Sequence, residues 1–168
     1  MTITSSAAEH ADSTAAAAVA VVHNLACECT AVESFAALLA EERAALLAQD
    51  ADTLQHITLR KAEATHRIAA LVDARNRALT AGGFAPGRAG IESFLDKHPQ
   101  NTSLWQRLRR GAARTQGLNH TVGQLINWRL AATEQALAVL RQGSHAAPLY
   151  SATGQPAAPH GARRLATA

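Results

Sequence analysis

Eight histidines, two cysteines and thirteen carboxylates are the side chains of this sequence able to hold a metal or move a proton. Their spacing argues against both roles. His10, His23, His56, His66, His98, His120, His145 and His160 are scattered. No two fall three or four residues apart, the separation that sets two ligands on one helix face. Cys27 and Cys29 stand at i and i+2, so on a helix they point to different faces and cannot easily bridge. Without a CxxC or a matching histidine cluster, they read as buried or half-buried thiols of a reducing compartment. Glu41, Glu42, Lys61 and Glu63 read as solvated helix faces, not an acid/base pair in a pocket. No glycine-rich phosphate loop follows a strand, and no strand is expected. The sequence therefore points to no catalytic residue, no metal and no cofactor, and to a protein that is not an enzyme.

One charge cluster remains. Arg107, Arg109, Arg110 and Arg114 could neutralise phosphates. Only Trp105 is near enough in sequence to stack on a base, and no DNA-binding motif surrounds them. Arg107, Arg110 and Arg114 also follow three–four spacing, as a solvated face opposite acidic helices would. A helical scaffold or nucleic-acid adaptor working through this Arg107–Arg114 face is the alternative reading, with nucleic acid the less favoured partner.

The elements that position these residues are helices. From Ala15 to Gln49 there is no Gly or Pro, and Val22, Leu25, Cys29, Val32, Ala36, Leu39 and Leu46 recur at three–four spacing, interrupted by Arg43. Asp50 or Asp52 can cap a second helix. Its seam runs Leu54, Ile57, Lys61, Ala64, Ile68, Leu71, Arg75 and Ala78. The two helices either run on nearly continuously or fold back. A hairpin is favoured, because an isolated apolar stripe has nothing to bury against. Lys61 and Arg75 in the seam are either charged register devices or, the favoured reading, long stems packed with their heads in water.

Gly82, Gly83, Pro86 and Gly87 end the second helix. A short helix is expected over Ile91 to Lys97, closed by Pro99. The last long helix is expected from Ser103, with Ser103 and Gln106 as a capping box, to Gly143. Its apolar row broadens from Leu118 onward. The fold class is therefore all-α: a long antiparallel hairpin plus a third long helix in a coiled-coil-like bundle. Residues 1–14 are expected to be disordered, 15–142 to form the helical domain, and 143–168 to form a flexible tail.

Composition agrees. The 168 residues are 48% hydrophobic but 4% aromatic, which suits alanine-rich helices on narrow seams better than a wide core. Met1 to Thr14 lacks Lys and Arg, so no secretory signal is expected. The early apolar run Ala15 to Val22 falls short of the roughly 20 residues of a membrane span. A soluble, cytoplasmic chain without membrane insertion follows as the expectation. The net charge of +3 divides unevenly, with −4 over residues 1–81 and +7 over residues 82–168. The halves of a hairpin could attract each other, or the basic half could meet an acidic partner.

Three C-terminal segments carry a resemblance. Leu118-Asn119-His120-Thr121-Val122-Gly123-Gln124-Leu125-Ile126 resembles the "LN…NG.LI" signature of the FlgN family of flagellar export chaperones. Gln135–Arg141 is similar to its "QAL.VL" helix end, and Leu149–Gln155 to its "LYG.DGQ" tail. Leu46, Asp50, Leu54, Ile57 and Lys61 fit its hairpin. The likeness covers roughly residues 20–155, with Val122 in place of the usual Asn, and Ser151 and Thr153 in place of Gly and Asp.

The resemblance implies a chaperone that holds the hook–filament junction proteins FlgK and FlgL by their C-terminal helices and delivers them to the export gate, with FlhA as the gate component. It also implies gate docking through Leu149, Tyr150, Gly154 and Gln155. The client surface is then Leu118, Asn119, Val122, Gly123, Leu125, Ile126, Leu130, Ala136, Leu137 and Leu140, a helix-in-groove arrangement. The same face could instead pack on the protein's own hairpin or on a second copy in a homodimer.

Overall fold

A computed structural model of the chain describes residues 3–145, with side chains described over residues 12–142. The described residues form α1 (Ile3–Ala48), α2 (Ala51–Ala81), α3 (Arg88–Lys97), a 3-10 turn (Pro99–Asn101) and α4 (Thr102–His145). There is no strand among them. The chain divides into two compact units, Met1–Ile126 and Asn127–Ala168, and α4 crosses the division.

α1 and α2 fold back as the expected hairpin. The joint is only Gln49 and Asp50. The Asp50 N–H donates to the Ala45 carbonyl at 3.1 Å and the Gln49 N–H to the Leu46 carbonyl at 3.4 Å, the Schellman pattern that satisfies the last carbonyls of a helix. It sets Gln49 at φ 61°, a left-handed conformation that disfavours any residue with a Cβ. Asp50 then caps α2, its carboxylate accepting from the Thr53 N–H at 3.0 Å and the Thr53 hydroxyl at 2.7 Å. These bonds hold the Asp50 carboxyl below its ordinary value. Gln49→Gly should raise stability by about 1 kcal/mol, a shift of a few degrees in Tm, because glycine adopts this φ without strain. A lower urea midpoint for the variant would overturn that reading of the turn.

The hairpin seam differs from the expected one in its charged positions. Arg43 is exposed, and Glu42 takes its place in the seam at 6% exposure. Lys61 Nζ donates to Glu42 at 2.7 and 2.9 Å. Arg75 Nη1 donates to Glu28 Oε2 at 2.5 Å, with Arg75 7% and Glu28 2% exposed. The Arg75 head is therefore inside the seam and not in water, and the Lys61 head is largely covered too. Glu28 and Glu42 lie fourteen residues apart on α1, as do Lys61 and Arg75 on α2. Two heptads separate the charged layers on both helices, so only one antiparallel register pairs both at once. Slipping the hairpin by a turn would leave buried charges without partners, which is far more costly than an apolar mismatch.

Apolar clusters flank these layers. Toward the hairpin tip, Leu38 and Ala45 of α1 pack with Ile57 of α2, with Phe35 and Leu54 beside them. At the other end, Val21, Leu25, Cys29 and Val32 of α1 meet Ala78 and Leu79 of α2, Ile91, Phe94 and Leu95 of α3, and Leu108 of α4. Phe84 packs edge-on to Phe94 with centroids 5.5 Å apart.

α3 begins at Arg88, three residues before the expected Ile91, because Gly87 at φ 81° turns the chain directly into it. The Gly87 N–H donates to Asn76 Oδ1 at 3.1 Å and ties the turn to α2. The last helix starts at Thr102, one residue from the expected Ser103, so Ser103 is not its cap. Ser103 already lies inside α4, and the 3-10 turn leads in, with the Thr102 N–H donating to the Pro99 carbonyl. Gly143 does not stop α4, which continues to His145. α1 likewise starts at Ile3, ahead of Ala15. Alanines from residue 15 on favour helix, and residues 3–14 hold neither Gly nor Pro, so nothing local ends the helix there.

Alanine also makes α1 apolar by composition. Over Asp12–Ala48 it is long and apolar enough to cross a membrane, with a window of mean hydropathy 1.5. Val21, Leu25 and Leu39 are nonetheless taken up in the core, at most 1% exposed.

Candidate functional site

α4 carries most of the residues with a possible binding role. Over Thr102–Ile126 it packs parallel to α1. Cys29 Sγ donates to the Leu104 carbonyl at 3.6 Å, and Thr115 Oγ1 donates to the Val32 carbonyl at 3.5 Å. Gly111 sits against Val32, where a Cβ would be 3.3 Å from Cγ1. Burial pushes the Cys29 thiol up from its ordinary value, which makes it a poor nucleophile. Leu108 is 7% and Val122 2% exposed.

The expected client residues therefore divide. Val122 is buried in the protein's own fold, and Leu118, Gly123 and Leu125 are half-buried. Asn119 and Ala136 are exposed, as are Ile126 (43%), Leu130 (58%), Leu137 (46%) and Leu140 (69%). Leu149, Tyr150, Gly154 and Gln155 lie outside the described residues.

Over Asn127–Gln142 almost every side chain is exposed, apolar ones included. Trp128 (69%) and Val139 (63%) join the leucines there. Trp128 was not among the expected site residues, because it lies off the two apolar rows that the spacing suggests. Its size is the signal that could have found it: a tryptophan outside every seam of a chain with two tryptophans has no other evident place to be buried. Burying a side chain of this kind is worth roughly 1.5–3 kcal/mol. Trp128, Leu130, Leu137, Val139 and Leu140 together leave on the order of 5–10 kcal/mol of burial for a partner to collect, before the cost of association.

The arginine cluster is partly used within the chain. Arg107 Nε and Nη2 donate to the two Glu33 oxygens at 2.7 and 2.6 Å. This fork holds the Glu33 carboxyl below and the Arg107 guanidinium above their ordinary values. Arg107 is the one member of the cluster in an ion pair among the described residues. Arg110 and Arg114 border a groove floored by Ala36, Ala37 and Ala40 of α1. Sequence spacing did not flag His23 and Cys27, which α1 brings to 3.6 Å as an exposed i, i+4 pair. Among the described residues no group of three or more His, Cys, Asp or Glu is placed to hold a metal ion.

A family model described as FlgN protein matches residues 18–158. No curated protein and no solved structure matches the chain. The matched stretch runs from the first core turns of α1 through the hairpin, the exposed part of α4 and all three C-terminal motifs. The chain belongs to the FlgN family of flagellar chaperones.

Proposed function

We propose that this protein is a cytoplasmic chaperone of flagellar type III export. It binds the C-terminal helices of the hook–filament junction proteins FlgK and FlgL, keeps them from assembling early and delivers them to the export gate component FlhA. The observation that carries this reading is the row of exposed apolar side chains on α4, Ile126, Leu130, Leu137 and Leu140. An amphipathic client helix lies on such a row with anchors every three or four residues. Leu149, Tyr150, Gly154 and Gln155 form the gate-docking segment in this reading, separate from the client surface.

Mixing the protein with a C-terminal segment of FlgK or FlgL should give a stable complex. No complex at about tens of micromolar, an affinity weaker than roughly −6 kcal/mol, would sink the proposal. Leu137→Asp should weaken that complex by about tenfold or more while leaving the helical signal in circular dichroism unchanged, since Leu137 is 46% exposed. A loss of helix in that variant would place Leu137 in the protein's own core. Tyr150→Ala should leave client binding intact and lower export of the client in a motility assay; unchanged export would remove Tyr150 from gate docking.

A further inference from the structure

The exposed segment of α4 is apolar on two faces. A helix advances about 100° per residue. Leu130, Leu137 and Leu140 then fall within about 80° of one another. Trp128, Ala132 and Val139 fall within about 40° of one another, on the side roughly opposite Leu130. Both rows are exposed: Leu130 58%, Leu137 46% and Leu140 69% on one side, Trp128 69% and Val139 63% on the other. On one flank between them lie Ala131 and Ala138 with Asn127, Glu134, Gln135, Arg141 and Gln142, and on the other Ala136 with Arg129. A surface helix ordinarily shows one apolar stripe about 100° wide, the width that one packed element covers.

We propose that two helices of a single client enclose this segment, one on the Leu130–Leu137–Leu140 row and one on the Trp128–Val139 row. This rests on the chaperone reading above and adds the form of the client. One partner helix covers one stripe, so it leaves either Trp128 and Val139 or the three leucines in water. A second copy of the chain does not resolve this. A two-fold pairing sets one row against itself and leaves the other open. Setting one row against the other row of the next copy gives a head-to-tail contact that need not close, and so leads toward filaments. A client contributing two helices covers both rows in a closed one-to-one complex.

The test places a photo-crosslinking amino acid at Leu130 in one variant and at Val139 in another, each mixed with the complete C-terminal region of FlgK or FlgL. The expected result is two different client segments, one captured from each position, both in a one-to-one complex. Capture of the same client segment from both positions would overturn the proposal. So would capture of a second chaperone copy from Val139. Val139→Glu should also weaken the complex by about tenfold, as a central anchor does, with helical content retained. Unchanged affinity in that variant would overturn the two-sided arrangement even with Leu130 crosslinked. Absence of any complex with the unmodified chain is the separate failure, and it removes the chaperone reading itself.

Discussion

Arg75→Leu should cost the fold about 3–5 kcal/mol at neutral pH, the range for removing one partner of a buried ion pair. The cost arises from what stays behind. Glu28 is 2% exposed, and its Oε1 already has no hydrogen-bond partner. Its carboxyl is raised above the ordinary 4.5, burial being the larger influence and the Arg75 charge and hydrogen bond opposing it. Without Arg75 only burial remains, and the folded-state value moves higher still. A carboxyl whose folded value lies above its unfolded value binds protons more readily in the folded state. Its penalty is therefore full above the folded value and disappears as pH falls toward the unfolded value. The loss in Arg75→Leu, read from urea unfolding against the unmodified protein, should shrink between neutral and mildly acidic pH. The double variant Glu28→Leu/Arg75→Leu should recover most of the loss, because an apolar pair of similar volume often replaces a buried ion pair without cost. A pH-independent loss, or a double variant as weak as the single one, would mean that Arg75 acts through packing alone.

That pair also marks where sequence reasoning ends. Three–four spacing and the Gly/Pro punctuation at Gly82–Gly87 made the helices and the hairpin legible, because both signals are local. Arg75 and Lys61 stood out as charges in a seam. Whether their heads meet water or acid depends on residues 47 and 19 positions away, and only the register decides it. The clue was the matching fourteen-residue spacing of Glu28 with Glu42 and Lys61 with Arg75. The same limit applies on α4. The apolar row from Leu118 was visible as one continuous face, but tertiary packing divides it, burying Val122 while Leu130 and Leu140 stay exposed. Periodicity ranks residues by face and cannot say how far along a helix its partner extends. Trp128 and Val139 show the converse. A second apolar row dilutes the first, so the one-stripe pattern by which binding helices are usually found is weak over this stretch.

Gly90→Ala should destabilise the fold by about 3 kcal/mol or more, since Gly90 has the least room for a Cβ among the described glycines. A Cβ on Gly90 would stand 1.5 Å from the Ala85 carbonyl oxygen and 2.6 Å from its carbon. These are backbone atoms, and no side-chain rotation relieves them. The loop holding Ala85 is fixed on both sides, by the Phe84 N–H on the Leu79 carbonyl at 2.9 Å and the Gly87 N–H on Asn76 Oδ1 at 3.1 Å. Relief therefore requires either breaking those bonds or lifting α3, whose Ile91 and Phe94 are fully buried and Leu95 8% exposed. Gly117→Ala is the matched control. It lies inside α4 with nothing within 4 Å of the added carbon, and replacing a mid-helix glycine by alanine should stabilise by roughly 0.8–1 kcal/mol. Urea unfolding of the two variants should move in opposite directions. Hydrogen exchange should show α3 opening in Gly90→Ala before the hairpin does, since the α1–α2 seam has its own charged layers and tip cluster. Equal stability of the two variants would show that the Ala85 loop yields freely, and that α3 is held by its apolar face alone.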